Sequence, residues 1–176
     1  MFENTSPPSA ANAYEAKTSY EAARLARYSK QARLPQPFGE PCSGVVLVVE
    51  RAEASARLVD ALHRSLAAVK LDGAYVTWSS PYLLEETLSI EPGALVAVGP
   101  DAARAIDALN YPLAKTGFSE TPEGLWFVWT KGTFGLRLPA LTPALVDADA
   151  KHRFWRAFLS LRVLIDDEGD LGYRPS

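Results

Sequence analysis

The side chains able to do chemistry in this 176-residue chain are few and widely spaced. Glu50 follows the apolar run "GVVLVV", where a carboxylate can act as a general base or cap a neighbouring helix. Ser79 and Ser80 in "WSSP" offer hydroxyls, but a Ser-His-Asp relay would need His63 or His152. Both histidines fall within stretches of helical spacing rather than at a strand end. Gly99 in "VGPDAARA" can admit a ligand to the backbone, or simply make the turn before a proline-started helix. "ERAEAS" (50–55) has no glycine with which backbone N–H groups could close on a phosphate. Trp126 and Trp129, three apart on a strand, face opposite sides of it, as packing residues or with one free to stack on a base or partner.

Other chemistries lack their residues. The single Cys42 leaves no internal disulfide or thiolate zinc site and suits a reducing cytoplasm. The two histidines and scattered carboxylates have no metal-ligand spacing, and no motif calls for a cofactor. A net charge of −3 argues for little direct nucleic-acid binding. No apolar run reaches the roughly 20 residues needed to cross a bilayer, and the N-terminus lacks the features of a secretory signal. The expectation is a cytoplasmic protein without a membrane segment.

Three regions must position these groups. Residues 1–42 are expected to be a flexible N-terminal segment, beginning with the polar, proline-bearing "NTSPPSAANA". Within it "AKTSYEAARLARYSKQARL" has good helix formers and can be helical alone or on binding a partner. Its apolar residues make a poor stripe, while Lys17, Arg24, Arg27, Lys30 and Arg33 face only Glu21 in charge. "PQPFGEPC" then reads as a linker.

Residues 43–165 carry strand–helix alternation. "GVVLVVE", "GAYVTW", "GALVAVG" and "GLWFVWT" read as four strands, the first and third as continuous apolar runs buried on both faces. Helices are expected at "RAEASARLVDALHRSLAAVKL" (apolar at Leu58, Leu62, Leu66 and Val69), "SPYLLEETL", "PDAARAIDAL" and about 147–163. Between the fourth strand and the last helix, "LRLPALTPAL" is expected as a loop pinned by Leu138, Leu141 and Leu145. The fold class is therefore α/β, a three-layer sandwich around a four-stranded, mainly parallel sheet. Ligands of such folds sit beyond the C-terminal strand ends. Residues 166–176, "DDEGDLGYRPS", form an acidic tail.

In this order the segments "VVLVVE", "AYVTW", "LVAVGPDAARAI" and "PALTPALVDADAKHRFW" resemble the uracil-DNA glycosylase superfamily over about residues 44–164. Where that family has Gly-Glu-x-Pro-Gly, this chain has "ERAEAS"; in place of His-Pro-Ser it has "TFGLRLPAL". No residue matches the water-activating acid or the catalytic histidine, so the resemblance implies no enzyme and no catalytic residue. In plan the chain is most similar to the noncatalytic psi-subunit family of bacterial DNA polymerase III clamp loaders.

That resemblance implies an adaptor in DNA replication. Its N-terminal peptide would bind the clamp-loader ATPase subunit through Tyr20, Arg24, Leu25, Arg27, Tyr28, Lys30 and Arg33. Its domain would bind a chi-like subunit, with Trp78, Trp129, Leu141 and Leu145 as contacts and an indirect link to single-stranded DNA-binding protein. The alternative is a divergent uracil-DNA glycosylase or DNA-damage-binding repair protein working through Glu50.

Overall fold

The computed structural model describes residues 9–51 and 54–165. Residues 166–176 of the expected tail, and the first part of the N-terminal segment, lie outside the described residues. The elements run α1 (Ala10–Gln31), β1 (Val45–Val49), α2 (Ala56–Ala68), β2 (Tyr75–Trp78), α3 (Leu83–Ile90), β3 (Ala94–Val98), α4 (Pro100–Asp107), β4 (Trp126–Thr130), β5 (Thr133–Leu138), α5 (Leu141–Ala144) and α6 (Ala148–Phe158). A 3-10 turn, Leu159–Leu164, ends the described chain.

The architecture is α/β, with helices on both faces of one mixed five-stranded sheet of order β2-β1-β3-β5-β4. Strands β2, β1, β3 and β5 are parallel, and β4 pairs antiparallel with β5 at one margin. The expected count of four strands is thus corrected to five. The stretch "TFGLRL", whose "LRL" is expected to open a loop, is a central parallel strand, while "WFVWT" is the margin beside it. Lys131 and Gly132 make the two-residue turn of this hairpin, Gly132 taking a φ of 107° that side chains disfavour.

Alternation along the strands divides the core in two. Val45, Leu47 and Val49 of β1 point to the side covered by α2 and α6, with Leu58, Leu62, Leu66, Phe154 and Phe158. Val46 and Val48 point to the opposite side, with Leu83, Ile90, Ala103, Ile106 and Phe118. Both faces of β1 and β3 are therefore covered, which is why they read as unbroken apolar runs. Trp126 packs on the first side, its indole donating to the Ser160 carbonyl at 3.0 Å, and Trp129 on the second.

Within the N-terminal segment the chain forms a helix over Ala10–Gln31, longer than the stretch expected to be helical, capped by Ser9 and packed on α3. Its buried line is Thr18, Ala22, Leu25 and Ser29, at intervals of four, three and four. The Tyr14 hydroxyl donates to the Ile90 carbonyl, and Tyr28 stacks on Tyr82 with ring centres 6.0 Å apart. The following linker reaches the outer strand β2. Phe38 and Val76 exchange two backbone hydrogen bonds, at 3.0 and 2.8 Å, and the Trp78 indole donates to the Gln36 carbonyl.

Candidate functional site

In an open α/β sheet the crevice for a ligand lies where successive connections leave in opposite directions. Here that point is between β1 and β3, because β2 lies on one side of β1 and β3 on the other. The residues leaving these strands are Glu50 and Gly99. The Glu50 side chain turns across the crevice, and its Oε1 accepts the Asp101 backbone N–H at 2.8 Å. Asp101 lies in the first turn of α4, so the carboxylate sits at the partly positive helix end, where an anionic ligand would otherwise go.

Gly99 makes this contact sterically feasible. Its φ is 98°, and a Cβ there would stand 2.7 Å from the Glu50 carboxylate and 3.4 Å from the Ala140 Cα. The Gly99 N–H donates to the Leu138 carbonyl at 3.0 Å, tying the exit of β3 to that of β5. On the other side the Ser79 N–H donates to the Val49 carbonyl, and the Ser79 hydroxyl accepts the Arg51 N–H, both at 2.9 Å. The four parallel strand ends are thus stitched to one another. A ligand entering from this edge meets the Glu50 carboxylate, and the Ser79 hydroxyl already holds a backbone N–H.

The histidines lie elsewhere. His63 is on α2 with its ring against Phe38, 4.5 Å between centres, and His152 is on the exposed side of α6. Among the described residues no three of His, Cys, Asp and Glu gather as a metal site. Nor is any helix among them long and apolar enough to cross a membrane.

The expected partner contacts separate by burial. On α1, Tyr20, Arg27, Tyr28 and Lys30 are exposed, as is Arg33 just past its end, and Arg24 is half-buried in an ion pair with Glu21 at 2.7 Å. Leu25 faces the domain and is buried, so the folded chain does not present it. Trp78, Trp129 and Leu141 are likewise interior, a correction to their expected place on a partner-facing surface. Each is apolar area that the sheet or the loop needs for its own packing. Leu145 is half-buried and reaches the surface between α5 and α6.

One polar cluster was not singled out from the sequence. Glu86 of α3 is buried beneath β2, accepting from the Thr77 hydroxyl at 2.7 Å and the Tyr75 hydroxyl at 3.2 Å. Burial pushes the Glu86 carboxyl above its ordinary range against the two hydrogen bonds, and Glu85 adds a smaller push upward. Burial, followed by the neighbouring Glu86 charge, pushes the Tyr75 hydroxyl far above its own. The only sequence signal was Tyr75 and Thr77 at strand period on one face, opposite a helical Glu.

Fold and site together define an α/β protein of mixed sheet whose switch-point crevice is occupied by its own carboxylate. No family model matches this chain, and no curated protein matches it.

Proposed function

We propose that the chain is a noncatalytic adaptor in DNA replication, built on a uracil-DNA glycosylase-like three-layer scaffold. In this reading it is a psi-like accessory subunit that joins a clamp-loader ATPase collar to a chi-like subunit, and through that to single-stranded DNA-binding protein. The observation that carries the reading is the Glu50 carboxylate bound to the first turn of α4, in the place a glycosylase would keep for substrate and water. The segment resemblances and the exposed basic residues of α1 and its C-terminal end, Arg27, Lys30 and Arg33, support it further.

The test is capture by a purified clamp-loader ATPase collar, read by surface plasmon resonance. Wild-type chain should bind, and the triple variant Arg27→Glu, Lys30→Glu, Arg33→Glu should bind at least about tenfold more weakly. No binding by the wild-type chain rules the reading out. Release of uracil from single-stranded DNA, abolished by Glu50→Gln, would establish the glycosylase alternative in its place.

A further inference from the structure

On the face of the sheet opposite α1, helices α2 and α6 leave a groove of about 850 Å³ between them. Its floor is small and apolar, made by Ala61, Ala68, Ala144 and Ala148, with the half-buried Trp155 at its side. The Trp155 ring is held by stacking on Phe158, 5.7 Å between centres and 18° from parallel. Exposed cations stand around this floor, Arg57 and Arg64 from α2 and Lys151 from α6, with the exposed His152 ring beside Lys151. Among the described residues Asp60 is the one carboxylate lining it, and it is paired with Arg64 at 3.0 Å. Arg57 donates to the Leu145 carbonyl at 2.6 Å, which fixes its guanidinium at the groove wall with further N–H groups to offer.

We infer that this groove is a docking site for an acidic amphipathic peptide. Charge complementarity selects the occupant: among the described residues three formal cations against one carboxylate make a positive rim on a chain of net charge −3. The alanine floor lets a partner backbone approach closely, and the fixed Trp155 offers flat apolar area at small cost in side-chain entropy. A nucleic acid fits less well, since one face of the Trp155 ring is covered by Phe158, which leaves a single indole face for a base. The site lies on the other side of the sheet from α1, so both surfaces can be engaged together. It does not depend on the replication reading.

The probe is a synthetic peptide of about fifteen residues with Glu on one helical face and Leu on the other. It is titrated into the full 15N-labelled chain. The expected result is saturable shifts in α2, α6 and the Trp155 indole N–H. Affinity should fall about tenfold in the double variant Arg64→Glu, Lys151→Glu, whose exposed side chains leave the core untouched. Shifts that do not saturate, that fall on other elements, or that survive the double variant overturn the inference. Tighter binding of a dT oligonucleotide of the same charge would overturn it in favour of a nucleic-acid surface.

Discussion

Glu86 lies beneath the outer strand β2 and accepts a 2.7 Å hydrogen bond from Thr77, joining α3 to the sheet by a buried carboxyl. The carboxyl holds its proton more tightly in the folded chain than in the unfolded one. Its contribution to stability is therefore complete below the unfolded value of about 4.3 and declines as the pH rises toward the folded value. Glu86→Gln keeps an oxygen for Thr77 and Tyr75 and has no charge to bury. Urea denaturation should show the variant more stable by about 1 kcal/mol at pH 8 and equal to wild type near pH 4. A pH-independent difference would show that the carboxyl does not titrate in this window.

Glu50 acts on α4 through its oxygen. Glu50→Ala should lower stability by about 1–2 kcal/mol, as loss of a helix-end acceptor does. Glu50→Gln keeps the acceptor and loses only the charge, so its cost should stay near 0.5 kcal/mol, roughly a charge–helix interaction. Equal losses in the two variants, measured by chemical denaturation, would mean that the charge rather than the hydrogen bond matters.

Leu25 is the one large side chain in the buried line of α1. Leu25→Ala should weaken docking of the helix by about 2–3 kcal/mol. Amide hydrogen exchange should rise across α1 while β1 and β3 keep their protection. An equal rise in β1 would show that helix and sheet unfold as one unit.

Gly135 leaves room for an aromatic ring across the hairpin. The Phe127 ring lies over it, and a Cβ at Gly135 would come 2.3 Å from Phe127 Cζ. Gly135→Ala should destabilise by about 1–3 kcal/mol, since the ring must move within a packed layer. The double variant Gly135→Ala, Phe127→Ala should lose less than the sum of the single losses, and thermal denaturation of the four proteins measures this.

Strands β1 and β3 were legible because both of their faces are buried, so every position is apolar. Strand β5 was not, although it is just as central. Thr133, Gly135 and Arg137 interrupt its pattern, for reasons that lie outside the strand. Gly135 makes room for Phe127, and the Arg137 guanidinium bridges the Ser119 and Thr121 carbonyls. The Lys-Gly turn between two β-rich runs was the available signal for a hairpin. The docking of α1 was hidden for a similar reason. Its inward face uses Thr18, Ala22 and Ser29, which let two helices approach closely without adding to an apolar count.

Of the site, the position of Glu50 and Gly99 at strand ends could be read in advance, and so could the opposed directions of Trp126 and Trp129. That Glu50 would reach across to α4 could not, because it depends on which strands become neighbours. The interior placement of Trp78, Trp129 and Leu141 was obscured because large apolar side chains suit a partner and a core equally well.

The reciprocal pair of bonds between Phe38 and Val76 gives the linker a second duty. By occupying the middle of β2's outer side, it denies that backbone to any foreign strand. A partner that pulled α1 and its linker away together would lay bare a template for self-association. Engagement of α1 while it stays seated on α3 keeps the chain clear of that hazard.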